Sequence, residues 1–243
     1  YVNMKLGYGC KLNIQETVYS VTFQVPKTSS KESYSVTYLV YNDGDGTEHY
    51  FWGDQDQNPN FFVDEDGLGL EISKSNNTYV MKDAKDNVKT LVNGLLYKVS
   101  DANGNTIKIV YNTSNGQPTT GANRIVRVVR YNSGYQAESS AETIATFTYD
   151  SYGNLTSIKD SIDRSTDFTY VGNLLTAVQY PDSQTIQYGY QYKTVNSQQI
   201  AFLSTAYDAE SKYGIQYTRG SNWNPYAVTY VKEYYSNGTI VQY

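Results

Sequence analysis

The sequence predicts an all-β fold of successive antiparallel hairpins, and three observations predict it. Tyrosine occurs 27 times and glycine 18 times in 243 residues, with alanine and leucine sparse; aromatic and β-branched residues suit a pleated, half-buried surface better than a helix. Apolar and polar residues alternate with period two between clusters of Asn, Asp and Gly. A hairpin-sized unit then recurs, and no window of helical periodicity flanked by caps interrupts the pattern.

Taken in order, Ser33 to Tyr41 places Tyr34, Val36, Tyr38 and Val40 on one face and Ser35, Thr37 and Leu39 on the other. Asn42-Asp43-Gly44-Asp45-Gly46 supplies positive-φ residues for a reversal, and Thr47 to Trp52 returns with Tyr50 and Trp52 in phase. Further turns are expected at Asp64-Glu65-Asp66-Gly67, Ala84-Lys85-Asp86-Asn87, Asn93-Gly94, Asp101-Ala102-Asn103-Gly104, Ser114-Asn115-Gly116 and Ser236-Asn237-Gly238.

The recurring unit is best seen in Leu96 to Tyr111, Leu155 to Tyr170 and Leu175 to Tyr190, each with its tyrosine 15 positions after its leucine and a turn-forming centre. On the second strand of each, the in-phase residues are Ile107, Ile109 and Tyr111; Thr166, Phe168 and Tyr170; and Ile186, Tyr188 and Tyr190. These ladders are expected to face the core. On the first strand Leu155 and Ile158 lie three apart, so a flat strand sends them to opposite faces; a bulge and a doubly covered sheet are the two explanations. Looser copies run through Ile200 to Tyr217 and Tyr226 to Tyr243. Residues 1–93 read as hairpins without the period and 94–243 as the repeats, in one continuous β structure. A hairpin that cannot bury its apolar face alone makes sense when stacked on its neighbours.

Bulk properties exclude several classes. The formal charge is −5 with a pI near 4.9, whereas a nucleic-acid binder shows a basic face. Arg124, Arg127 and Arg130 form the densest basic cluster, but on a strand their spacing sends neighbours to opposite faces. The single Cys10 rules out an intrachain disulfide framework and reads as a small buried hydrophobe. Nothing resembles a signal peptide or a membrane-spanning run. The opening YVNMKLGYG reads like the inside of a strand region, as in a piece of a longer protein.

Tyr149-Asp150-Ser151-Tyr152-Gly153-Asn154-Leu155-Thr156-Ser157-Ile158 resembles the tyrosine-aspartate repeat of the RHS/YD-repeat family, and Leu96 to Asn105 with Ile107, Ile109 and Tyr111 is similar to the rest of that unit. The resemblance is strong over Gly94 to Tyr190, with an interruption at Asn112 to Thr148. Val63 to Leu70 resembles the region before the regular repeats in large secreted or wall-associated Gram-positive members. Asp163 and Ser183 stand where Gly104 marks the turn, and Tyr180-Pro181 replaces the expected acidic residue. The resemblance implies a hairpin-built sheet that winds into a shell, of which this chain supplies a curved wall segment. In bacterial toxins of the family such a shell encloses a C-terminal effector; in teneurins it belongs to an extracellular adhesion protein. The implied partners are the remainder of the same polypeptide and a cell-surface glycan or protein, and the implied location is extracellular or wall-associated. The structural signature carried over is Leu96, Asp101, Gly104, Tyr111, Tyr149, Asp150, Gly153, Leu155, Tyr170, Leu175 and Tyr190.

Catalytic signals are sparse. His49 is the single histidine; it reads as a base or metal ligand on one view and as a surface strand residue on the other. No G-x-S-x-G elbow or phosphate loop accompanies it, and no enzyme is expected. Asp54, Asp56, Asn58, Asn60 and Glu65 fall at positions 1, 3, 5, 7 and 12 of a calcium-loop template, but Pro59 stands at position 6 where glycine is needed. That stretch is a calcium candidate or a solvated acidic turn, and no other cofactor is implied. Trp52 and Trp223 are candidates for stacking on sugar faces, against the alternative that the aromatics are the ladders of the sheet.

Overall fold

A computed structural model describes residues 6, 10–26, 33–53, 58, 60–121, 123–132, 140–208, 213–220 and 226–243. The described residues form nineteen strands and no α-helix, so no helix is long and apolar enough to cross a membrane. The strands are β1 (Thr17–Pro26), β2 (Ser33–Asn42), β3 (Glu48–Trp52), β4 (Phe61–Asp64), β5 (Glu71–Ser75), β6 (Thr78–Lys82), β7 (Val88–Val92), β8 (Leu95–Ser100), β9 (Thr106–Tyr111) and β10 (Ile125–Tyr131). They continue with β11 (Glu142–Tyr149), β12 (Leu155–Asp160), β13 (Ser165–Val171), β14 (Leu174–Gln179), β15 (Thr185–Val195), β16 (Gln198–Asp208), β17 (Tyr213–Arg219), β18 (Val228–Tyr234) and β19 (Ile240–Gln242). All belong to one sheet, and the pairings are antiparallel between strands consecutive in the chain. This is the all-β hairpin succession the alternation predicts.

The chain forms two compact units whose main segments are Cys10–Thr146 and Phe147–Tyr243. In the first unit β1 to β8 pair in turn, and β8 also returns to β1, with Thr17 opposite Leu95. One face of this ring carries Val18, Leu39, Tyr41, Phe51, Phe62, Ile72, Met81, Leu91 and Leu96, all buried. Register explains the shared face: Leu39 is opposite Phe51, Phe62 opposite Ile72, and Ile72 opposite Met81, and directly opposed residues of an antiparallel pair point the same way.

In the second unit Phe147, Leu155, Leu175 and Val178 are buried. Thr166, Phe168 and Tyr170 are half-buried while Asp167 and Thr169 between them are exposed, so this ladder faces the covered side. The corresponding ladder on β9 departs from expectation. Ile109 and Tyr111 are buried, but Ile107 is 42% exposed, and Val110, which alternation sends to the other face, is buried with Val129 and Tyr131. Ile107 sits one pair from the hairpin turn, opposite Val99, while Val110, on the other face, packs with Val129 and Tyr131 of β10. Cys10 is exposed, correcting the expectation of a buried thiol.

From Leu175 to Val178 and from Leu96 to Val99 the three-residue spacing comes from bulges. Between β13 and β14 the register shifts after Thr169↔Ala177 to Tyr170↔Leu175, leaving Thr176 as the extra residue; Leu175 and Val178 can then share a buried face. The same shift on β8 leaves Tyr97 extra between Leu96 and Val99. The bulged Thr176 hydroxyl donates to Thr169 O at 3.1 Å, and Thr156 makes the equivalent bond to Thr148 O at 3.1 Å.

Candidate functional site

Two local constructions recur through the hairpins, and a third occurs once. The first is the turn. At Asp43, Asp83, Asp101, Asp150, Asp160, Tyr180 and Tyr235 the first residue donates its N–H to the carbonyl four residues on and accepts from the N–H three residues on. The fourth residue of each turn has φ between 64° and 98°, whether it is Gly46, Gly104, Gly153 and Gly238 or Asp86, Asp163 and Ser183. Loss of glycine at Asp163 and Ser183 therefore leaves the backbone path unchanged, at a cost in strain.

A leading aspartate adds a carboxylate clasp. Asp101 Oδ1 accepts the N–H groups of Asn103 and Asn105, both at 2.9 Å, and Oδ2 accepts the Asn105 amide at 2.7 Å. Asp83 is held in the same way by Lys85 and Asn87, Asp150 by Asn154, and Asp160 by Ile162 and Arg164. The Asn105 and Asn87 side chains hold Asp101 and Asp83 below the usual carboxylate range. Burial pushes Asp150 and Asp160 up, but the bonds from Asn154 and Arg164 outweigh it and both end low. In the turn that begins at Tyr180 the acidic residue has moved to Asp182, which accepts the Gln184 N–H at 3.1 Å.

The second construction explains the 15-residue spacing. Strands β8 and β9 pair only near their turn, from Ser100↔Thr106 to Lys98↔Lys108. Where they part, Tyr111 Oη donates to Leu96 O at 2.6 Å. Tyr170 reaches Leu155 O at 2.8 Å and Tyr190 reaches Leu175 O at 2.7 Å. Leu96, Leu155 and Leu175 are buried, and a buried carbonyl needs a partner. The phenol supplies the hydrogen bond that the diverging strands no longer make.

The third construction is a cleft of about 470 Å³ in the first unit, lined by the polar groups of Glu16, Tyr41, Asp43, His49 and Lys89 among apolar side chains such as Met81 and Val99. His49 lies in β3 with its side chain only 14% exposed, which corrects the surface reading. Its Nε2 is 3.0 Å from Asp43 Oδ2, its Nδ1 is 3.5 Å from Asp66 Oδ2, and its ring stacks on Tyr41 at 5.9 Å. A general base needs one ring nitrogen facing its substrate; here both face carboxylates. Burial pushes Asp43 up, but hydrogen bonds, the one from His49 foremost, hold it below the usual range. Glu16 accepts from Lys89 Nζ at 2.8 Å and from the Tyr41 hydroxyl at 2.5 Å. Burial, followed by the bond to Glu16, pushes the Tyr41 phenol far up, so it stays a donor.

The family model described as RHS Repeat matches residues 149–185. The matched stretch contains the Asp150 and Asp160 turns and the bond from Tyr170 to Leu155. No curated protein sequence matches the chain. Among solved structures, the chain is similar to one titled as a TcdB2-TccC3-Cdc42 crystal structure, with 13% identity, TM-score 0.43, and coverage of 88% of this chain and 12% of that one. It is also similar to a Photorhabdus luminescens Tc holotoxin pore, with 13% identity, TM-score 0.37, and coverage of 91% and 14%. This chain thus spans about an eighth of the length of those chains.

Of the remaining sequence candidates, Tyr149 closes β11. Trp52 is 43% exposed opposite Tyr38 and Val63, beside the edge-to-face rings of Phe23, Tyr38 and Tyr50. Trp223, Asp54 and Asp56 lie outside the described residues. Asn58 O accepts the Phe61 N–H, and Glu65 N–H donates to Tyr50 O. Among the described residues no group of three His, Cys, Asp or Glu side chains is placed to hold a metal. Sequence reasoning missed the group formed by Glu16, Tyr41 and Lys89, whose members lie 25 and 73 residues apart and carry no local signal.

Proposed function

We propose that this chain is a non-enzymatic structural segment of a secreted or wall-associated RHS-repeat protein, forming part of a β-shell wall that encloses a C-terminal effector or serves as a surface scaffold. The observation that carries this reading is the pairing of each repeat's tyrosine with the leucine carbonyl 15 residues before it. The signature residues Leu96, Asp101, Gly104, Tyr111, Tyr149, Asp150, Gly153, Leu155, Tyr170, Leu175 and Tyr190 then act as architecture. Their polar groups hold hairpins together instead of facing a substrate, and the mechanism is steric: a continuously hydrogen-bonded wall excludes proteases and solvent from one side. Its partners are the rest of its own polypeptide.

Limited proteolysis of the full-length protein, read by mass spectrometry, tests this. The expected result is that the C-terminal part outlasts conditions that digest the same part expressed alone. Equal digestion of both sinks the enclosure and leaves an open scaffold.

A second reading, a glycan- or protein-binding module, is favoured by the exposed Trp52 and its neighbouring rings, because flat aromatic faces bind sugars. A saturable change in tryptophan fluorescence on adding polysaccharides, abolished by Trp52→Ala, is its expected outcome. An unchanged signal across a broad panel removes it.

A further inference from the structure

The junction that closes the ring is its sparsest, ahead of β3 with β4, which share two register pairs. Across it β1 and β8 share the single register pair Thr17↔Leu95, with Val18 N–H donating to Gly94 O at 2.9 Å and Leu96 N–H to Glu16 O at 3.1 Å. By contrast β1 and β2 pair from Thr17↔Asn42 to Pro26↔Ser33, and β5 and β6 from Glu71↔Lys82 to Ser75↔Thr78. So short a ladder opens readily unless something else holds it, since local openings follow the sparsest bonding.

Glu16 holds it from both ends of the residue. Its backbone carbonyl takes the Leu96 amide across the seam. Its carboxylate takes Lys89 Nζ at 2.9 and 2.8 Å and the Tyr41 hydroxyl at 2.5 Å, and Lys89 also donates to the Tyr41 oxygen at 2.8 Å. Tyr41 lies on β2, next to β1, and Lys89 on β7, next to β8. The carboxylate therefore spans the strands that flank the seam on either side, over sequence separations of 25 and 73 residues. The Glu16 side chain is 12% exposed and that of Lys89 35%, so the pair is shielded enough to outweigh a typical surface ion pair. We propose that Glu16 is the latch of a ring that opens along the β1/β8 seam, a conformational device that parts β1 from the Leu95 end of β8 while β8 stays paired with β7 and β9. The latch is independent of whether the segment walls in an effector or presents a binding surface.

Amide hydrogen exchange read by mass spectrometry tests it, on the wild type, Glu16→Gln, Lys89→Met and the swapped pair Glu16→Lys with Lys89→Glu. In the single variants, peptides covering residues 16–20 and 93–97 are expected to exchange about tenfold faster or more, while peptides covering β5 and β6 keep their protection. The swapped pair is expected to restore protection at the seam. Acceleration of equal size throughout β5 and β6 overturns the proposal, because Glu16 would then support the whole unit. Unchanged exchange at residues 16–20 also overturns it, because the backbone bonds alone would hold the seam. If the swapped pair fails to fold, Tyr41→Phe removes one donor to the carboxylate; acceleration confined to the same two peptides supports the latch, and none there overturns it.

Discussion

Tyr111 donates its hydroxyl to a carbonyl that belongs to a residue only 3% exposed. Tyr111→Phe keeps the ring and removes the donor, and leaving a buried acceptor unmatched costs about 1–3 kcal/mol; chemical denaturation should show a loss in that range. The turns give a pair of predictions of opposite sign. Gly238 has φ +83° with open space where a Cβ would stand, so Gly238→Ala isolates the backbone penalty and should destabilise by about 1 kcal/mol. Ser183 holds φ +71° with a side chain attached, and Ser183→Gly should stabilise by a similar amount, about 1 kcal/mol, in the same assay. Asn-Gly and Asp-Gly pairs made most turns readable, but Asp163 and Ser183 looked like departures. Their geometry is dictated by bonds between the first residue and those three and four positions on, and the letter at the fourth position does not reveal those bonds.

At the scale of elements, the bulge decides which residues are buried. Deleting Thr176 removes the extra residue and makes the β13/β14 ladder regular, so Leu175 and Val178, then two apart, keep their shared face. The variant should therefore keep the tertiary aromatic signal in near-ultraviolet circular dichroism and lose only the bond from Thr176 to Thr169 O; loss of the aromatic signal would show that the bulge itself is required. The alternation of β2, the hairpin units and their 15-residue length were legible because each depends on neighbours close in sequence. The bulges at Thr176 and Tyr97 were not, because a bulge depends on the partner strand. The environment of His49 was also hidden: Asp66 reaches it only through the register of β3 with β4. Likewise Lys89 and Glu16 are 73 residues apart, and nothing local announces their meeting.

Across the whole molecule the recurring clasp makes acid a uniform stress. Asp43, Asp83, Asp101, Asp150 and Asp160 all titrate below the ordinary carboxylate range. A depressed folded-state pKa stabilises the fold above the unfolded value of about 4 and is lost as pH falls through the folded value. Stability should therefore be flat from neutrality down to about pH 4 and decline below it, measured as the denaturation midpoint against pH; a midpoint that holds steady below pH ~3 would contradict the clasp's contribution. Sheet edges add a concentration dependence. Long strands such as β15 and β16 pair with their other neighbours over only part of their length, and unpaired edges recruit one another. Sedimentation at rising protein concentration should show self-association, and a monodisperse monomer at ~1 mM would exclude it.

The turn built on its first residue has a consequence for how such proteins are traced through evolution. Because the backbone path survives Gly, Asp or Ser at the fourth position and Asp or Tyr at the first, mutation can rewrite most letters of a hairpin without changing its shape. Recognition by letters fades before the architecture does. A family model matches residues 149–185, while the same turn is drawn from Asp43 to Gly238; the hydrogen-bond pattern reaches further along the chain than the matching letters do.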